Sequence, residues 1–167
     1  MSDVIIIIVI IVVLIFALVC FFGAPYVPTR KAWAEAALGL VQLSDDDLVV
    51  DLGAGGGKIL RLLAQKGIKS VGYELNPLLY ASAKVALMNT ALAKVYLANY
   101  WVIDLPESTT VVYAFMVQRD AEKLEKYLAR QVGLVKAKKL KLVAFGFDLP
   151  NKKPIKTSNG ARLYEFK

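Results

Sequence analysis

The sequence has no histidine and one cysteine, Cys20. The first absence excludes His-based triads, His-metal sites and a histidine general base, and no metal is expected. The second forbids an intrachain disulfide and fits a reducing compartment. Acidic residues are also scarce, with 21 Lys and Arg against 14 Asp and Glu and a net charge of +7. That balance suits an acidic partner such as an anionic bilayer surface or nucleic acid. No Arg-rich run or aromatic-interleaved basic stripe accompanies it, so nucleic acid is not the expected partner. The basic stretch 126–141 reads as a solvated helix face.

Apolar residues are abundant, at 57% of the chain, and the excess sits in residues 4–22. Val4 to Phe22 carries no charge. As a helix it would span roughly 28 Å, close to a hydrocarbon core of about 30 Å. The flank Ser2-Asp3 is wrong for a secretory signal, and Val19 before Cys20 is wrong for a lipoprotein site. The run therefore reads as one transmembrane helix over 4–22, followed by a Pro-punctuated linker over 23–29. Arg30 and Lys31 follow the run and nothing basic precedes it. By the positive-inside rule, residues 30–167 would form a domain on the cytoplasmic side, or the matrix side if organellar.

Beyond a helix expected over 30–43, with Trp33, Ala37, Leu40 and Val41 on one face, strands and amphipathic helices alternate. Strands are expected over 48–52, 70–74, 94–98, 110–115 and 140–146, and helices over 57–66, 77–91 and 119–131. Alternation at this period predicts an α/β, Rossmann-like parallel sheet covered on both faces. The end of the chain breaks the pattern: two short strands flank Ser158-Asn159-Gly160, a hairpin signal. A doubly wound sheet closed by an antiparallel hairpin resembles the seven-stranded methyltransferase domain.

"LVVDLGAGGGKILRLL", Leu48 to Leu63, packs four glycines into five residues between a strand and a helix. The dinucleotide pattern G-x-G-x-x-G fails, because Lys58 stands at its sixth position; D-x-G-x-G-x-G fits, as Asp51, Gly53, Gly55 and Gly57. Gly53 and Gly55 let the backbone turn sharply and a ligand approach closely, and Gly57 eases packing of the helix start. Glu74 ends the second strand, where a carboxylate can accept both ribose hydroxyls of a nucleoside. Asp51 would repel a pyrophosphate and suits the cationic amino group of S-adenosyl-L-methionine. Ala54, Leu75 and Asn76 would line the same site. After the third strand, Asn99 is placed for the adenine edge, and Tyr100 or Trp101 for its ring face.

"PYVPT", "VVDLGAGGGKI", "VGYELNP", "NYW", "FGFDLPNKKP" and "RLYEF" together resemble a family of membrane-associated seven-β-strand lysine methyltransferases. That family includes the mitochondrial enzymes modifying the adenine nucleotide translocase and the c subunit of ATP synthase, and the resemblance implies a prokaryotic relative. It implies that Asp51, Gly53, Gly55, Gly57 and Glu74 hold the cofactor, with Asn99 where the family more often has aspartate. Relatives tend to carry a proline-containing segment at the position of Tyr113 to Gln118; here there is none.

Methyl transfer to a lysine needs a neutral amine and alignment, so a dedicated base is optional. Tyr26, Thr29, Tyr100 and Asp104 are the polar groups expected near the methyl. A domain tethered this closely would act on targets at the bilayer surface. The expected function is N-methylation of a lysine in a membrane protein. Methylation of a lipid, quinone or small membrane metabolite is the alternative, and non-catalytic S-adenosylmethionine binding the second alternative.

Overall fold

The computed structural model describes residues 2–22 and 31–167, with side chains over 3–14 and 32–167. One seven-stranded sheet organises residues 48–166, in the order β3-β2-β1-β4-β5-β7-β6. The strands are β1 Leu48–Leu52, β2 Lys69–Glu74, β3 Ala93–Leu97, β4 Val111–Phe115, β5 Leu140–Phe145, β6 Lys156–Ser158 and β7 Ala161–Phe166. β1 to β5 are parallel, while β7 runs antiparallel to β5 and β6 to β7. β1, β4 and β5 are buried almost end to end. Near-continuous apolar burial is what a parallel strand covered on both faces requires.

The helices are α1 Ser2–Phe22, α2 Lys31–Leu38, α3 Lys58–Gln65, α4 Pro77–Ala86 and α5 Ala121–Gln131. α2 and α3 cover one face, with Ala34, Ala37, Ile59 and Leu63 packed on Val49, Val111 and Val143. α4 extends that layer through Ala83 and Leu87 over Ala93 and Val95. On the other face Leu124 and Leu128 of α5 pack on Val50, Val112 and Leu142. There the irregular stretch after β3, with Tyr100, Trp101 and Ile103, stands where a further helix would otherwise lie. Burying each large aliphatic side chain contributes roughly 1.5–3 kcal/mol.

Strand boundaries lie within a residue of those the sequence predicts, whereas two helices end early. α2 stops at Leu38 rather than 43, because Gly39 opens tight turns in which Leu40 N–H donates to Ala37 O and Val41 N–H to Leu38 O. Leu40 and Val41 are buried, but Trp33 is 42% exposed. α4 stops at Ala86 rather than 91, where turns at Met88 and Thr90 swing the chain into β3. The closing hairpin turns on Asn159 and Gly160, both at positive φ (46° and 81°), as a two-residue hairpin turn demands.

Among the described residues no helix is long and apolar enough to cross a membrane, so the transmembrane helix expected over 4–22 is not supported. The described side chains of α1 include Val4 to Leu14, all exposed. The remainder of the 4–22 run and the 23–29 linker fall outside the described side chains.

Candidate active site

The strand order reverses between β1 and β4, so the crevice where open α/β sheets bind ligands lies outside the carboxyl ends of these two strands, with the end of β2 beside it. Gly53, Gly55 and Gly57 all have positive φ, at 92°, 54° and 77°. The loop is pinned to β2 by Gly53 and Ala54, whose N–H groups both donate to Tyr73 O, at 3.0 and 2.9 Å. A Cβ built on Gly53 would meet nothing within 4 Å. The residue is glycine for its backbone, and the loop is open to a ligand on that side.

Glu74 is buried, and donors from two loops fix its carboxylate. Gly55 N–H donates to Oε2 at 2.7 Å and Asn76 N–H to Oε1 at 2.8 Å. Each carboxylate oxygen keeps a second lone pair for a hydroxyl. On the neighbouring strand Asp51 is 3% exposed. Burial, and then the negative charge of Glu74, push its pKa up to about 8. A cation set against Asp51 would restore its ionised form. The loop thus asks for a ligand with a cationic end at Asp51 and hydroxyls at Glu74. The methionyl ammonium and ribose diol of S-adenosylmethionine meet both demands. Gly57, the residue before α3, offers no side-chain cap to that helix.

Other predicted residues have different placements. Asn76 is buried, and its Oδ1 accepts from Leu78 N–H at 2.9 Å and Leu79 N–H at 3.3 Å, capping α4. Leu75 beside it is 41% exposed. Asn99 Oδ1 accepts from Trp101 N–H at 3.1 Å, so the oxygen expected to meet the adenine amine already holds the 3-10 turn Tyr100–Val102. Tyr100 is half-buried between acids: burial, then the charges of Asp120 and Glu74 among its neighbours, push its pKa up. Its hydroxyl therefore stays protonated. Trp101 packs on Tyr100 at 4.7 Å and edge-on to Tyr127 at 6.0 Å, with Lys123 Nζ 4.2 Å above its ring.

Asp104, expected near the methyl, is not there. Its Oδ1 accepts from Arg130 Nη2 and Gln131 Nε2, both at 3.0 Å, at the carboxyl end of α5. Because α5 runs against the strands, that end lies at the amino edge of the sheet, away from the glycine loop. Tyr26 and Thr29 lie outside the described residues.

Two residues at the mouth escaped the sequence. Gln118 Nε2 donates to Asp148 O, and Asp148 N–H donates to Gln118 Oε1, both at 2.8 Å. This clasp ties the segment after β4 to that after β5. Asp120, whose charge acts on Tyr100, also went unmarked. The partners are 30 residues apart in the first case and 20 in the second, and no local pattern joins them.

No family model matches the chain. It is 32% identical over 111 residues to the lysine N-methyltransferase of the ATP synthase C-subunit from Homo sapiens, covering 65% of this chain and 47% of that protein. Its Xenopus laevis counterpart is 31% identical over 130 residues, 76% of this chain and 55% of that protein. A protein-lysine N-methyltransferase of Saccharolobus islandicus (strain REY15A) is 32% identical over 117 residues, 65% of this chain and 70% of that protein. The chain thus spans about half the length of the vertebrate relatives. Among solved structures, an RNA methyltransferase from Salinibacter ruber in complex with S-adenosyl-L-homocysteine superposes with a TM-score of 0.73 at 25% identity, over 84% of this chain and 92% of that one. A Plasmodium falciparum dimethyladenosine transferase, at 15% identity and TM-score 0.60 over 72% and 43%, shares the fold. The buried Asp51 and Glu74 at a glycine loop, on a sheet of this order, agree with these likenesses, and the chain belongs to the S-adenosylmethionine-dependent protein-lysine N-methyltransferases.

Proposed function

We propose that the chain N-methylates a lysine side chain of a membrane protein, at the surface of the bilayer that residues 4–22 would anchor it to, with its domain on the cytoplasmic or matrix side. The observation that carries the chemistry is the buried Asp51 beside Glu74, whose carboxylate is held by Gly55 and Asn76 N–H groups. The lysine acceptor is supported by the names of the relatives. The anchor is supported by the uncharged run from Val4 to Phe22.

In this reading Asp51 holds the ammonium, Glu74 the ribose hydroxyls and the glycine loop the cofactor's flank. S-adenosylmethionine, when bound, supplies an electrophilic methyl for in-line attack by an amine. Placement of the two reactants can contribute on the order of 7 kcal/mol. Burial of the acceptor beside a positive centre lowers its pKa toward the neutral form it needs, which suits a chain without histidine. Tyr100, protonated, offers a hydrogen bond to the entering side chain. Tethering raises the effective concentration of membrane-borne acceptors.

A second reading, an RNA acceptor, is favoured by the likeness to the Salinibacter protein and by the net charge of +7. The test is to incubate the full chain with methyl-labelled S-adenosylmethionine and membranes, then separate protein, lipid and RNA. Label in a discrete protein band is expected. Label confined to lipid or RNA would replace the lysine reading, and binding with no transfer would leave only a cofactor-binding protein.

A further inference from the structure

We infer that the carboxyl-edge rim of the domain, around the mouth of the cofactor crevice, lies against the bilayer surface. This rests on the membrane-anchored reading above and adds an orientation to it. Trp33, in the first turn of α2, stacks on Phe145 with ring centroids 5.7 Å apart at 26°. Phe145 is the last residue of β5 and pairs with Phe115 at the end of β4; Ala114, next to it, pairs with Leu52 at the end of β1. The chain therefore enters the domain at the edge that carries the glycine loop, two strands away, or about 10 Å. From Phe22 to Lys31 there are nine Cα–Cα steps, at most about 32 Å however they run. An anchor in the bilayer keeps this edge within that reach of the headgroups.

Exposure provides an independent indication. Large apolar side chains surface at this edge, at Trp33, Leu75 after β2, Leu78 in the first turn of α4, Leu97 at the end of β3 and Val102 just beyond it, while Val85, Met88, Leu134 and Ile155 surface elsewhere. Val102 is 77% exposed. Cations stand among them where α5 begins, Arg119 with an exposed side chain and Lys123 over Trp101. Apolar side chains interleaved with cations match an interface of acyl chains under anionic headgroups. A lysine at headgroup depth would then meet the crevice directly.

The test uses the chain of residues 1–167 with Trp101→Phe, which leaves Trp33 as its one tryptophan. It is reconstituted in phosphatidylcholine/phosphatidylglycerol vesicles carrying a headgroup-level nitroxide. Loss of Trp33 emission is expected, and likewise for Val102→Trp in a Trp33→Phe/Trp101→Phe background. Leu134→Trp in that background marks the amino edge and is expected to keep its emission. Protein that floats with the vesicles but shows no rim quenching, or equal quenching at position 134, overturns the orientation and leaves the anchor standing. Protein that does not float overturns the anchor, and the orientation with it.

Discussion

Asp51 carries the sharpest electrostatic consequence at the residue scale. Its carboxyl titrates near 8 in the folded domain, against 3.8 for an ordinary aspartate. Between those values the folded chain holds a proton that the unfolded chain has lost. The stability this group contributes is therefore complete below about pH 4 and falls as pH rises to about 8, by at most about 1.4 kcal/mol per unit. Urea melts of the cofactor-free protein at pH 5 and pH 8 are expected to show that loss, and Asp51→Asn to flatten it. Cofactor binding has the opposite slope, since a bound ammonium needs Asp51 ionised. Affinity by calorimetry is expected to rise from pH 6 to pH 8 by up to about tenfold per unit in the parent and hardly at all in Asp51→Asn. Glu74→Ala removes the acceptor for two backbone N–H groups as well as the ribose contact, and should weaken binding by at least about 1.5–3 kcal/mol. The positions of Asp51, the glycines and Glu74 at strand ends within one β-loop-α unit were legible because that unit is local in sequence. Asp104 was misplaced and Gln118, Asp120 and Asp148 unmarked, because their roles depend on contacts between distant segments.

Among the elements, the strands announced themselves through β-branched and aliphatic runs, while helix ends were set by turn chemistry that periodicity does not register. α4 starts at the Asn76 cap and Pro77, a start signal with a local cause. Asn76→Ala is expected to cost about 1 kcal/mol, read as a lower urea midpoint, with cofactor affinity kept because the Asn76 backbone N–H still holds Glu74. Gly72 in β2 has the opposite sensitivity. A Cβ there would lie 2.6 Å from Leu60 Cδ1 and 2.7 Å from Ala54 Cβ. Gly72→Ala should therefore destabilise the domain by roughly 1–3 kcal/mol and, by shifting Ala54 in the glycine loop, weaken cofactor binding too. The 3-10 turn after β3 was missed because Asn99 caps a single turn too short to have a period.

For the whole molecule, the cofactor-binding domain is distinct from the segment proposed to place it. Deleting residues 2–22 is expected to leave calorimetric binding of S-adenosylmethionine unchanged while methylation of a bilayer-embedded acceptor falls on the order of 100-fold or more. The parallel sheet and the closing hairpin could be foreseen from alternation and from Ser158-Asn159-Gly160, but not the strand order. The uneven dressing of the two faces, with three helices on one and α5 plus an irregular stretch on the other, could not. The central claim is that the methyl goes to a lysine. Its most direct test is acid hydrolysis of the protein band labelled from methyl-labelled S-adenosylmethionine, followed by amino-acid analysis. The predicted result is label in N-methylated lysine, absent with Asp51→Ala; label in any other residue, or unchanged labelling by Asp51→Ala, would contradict it.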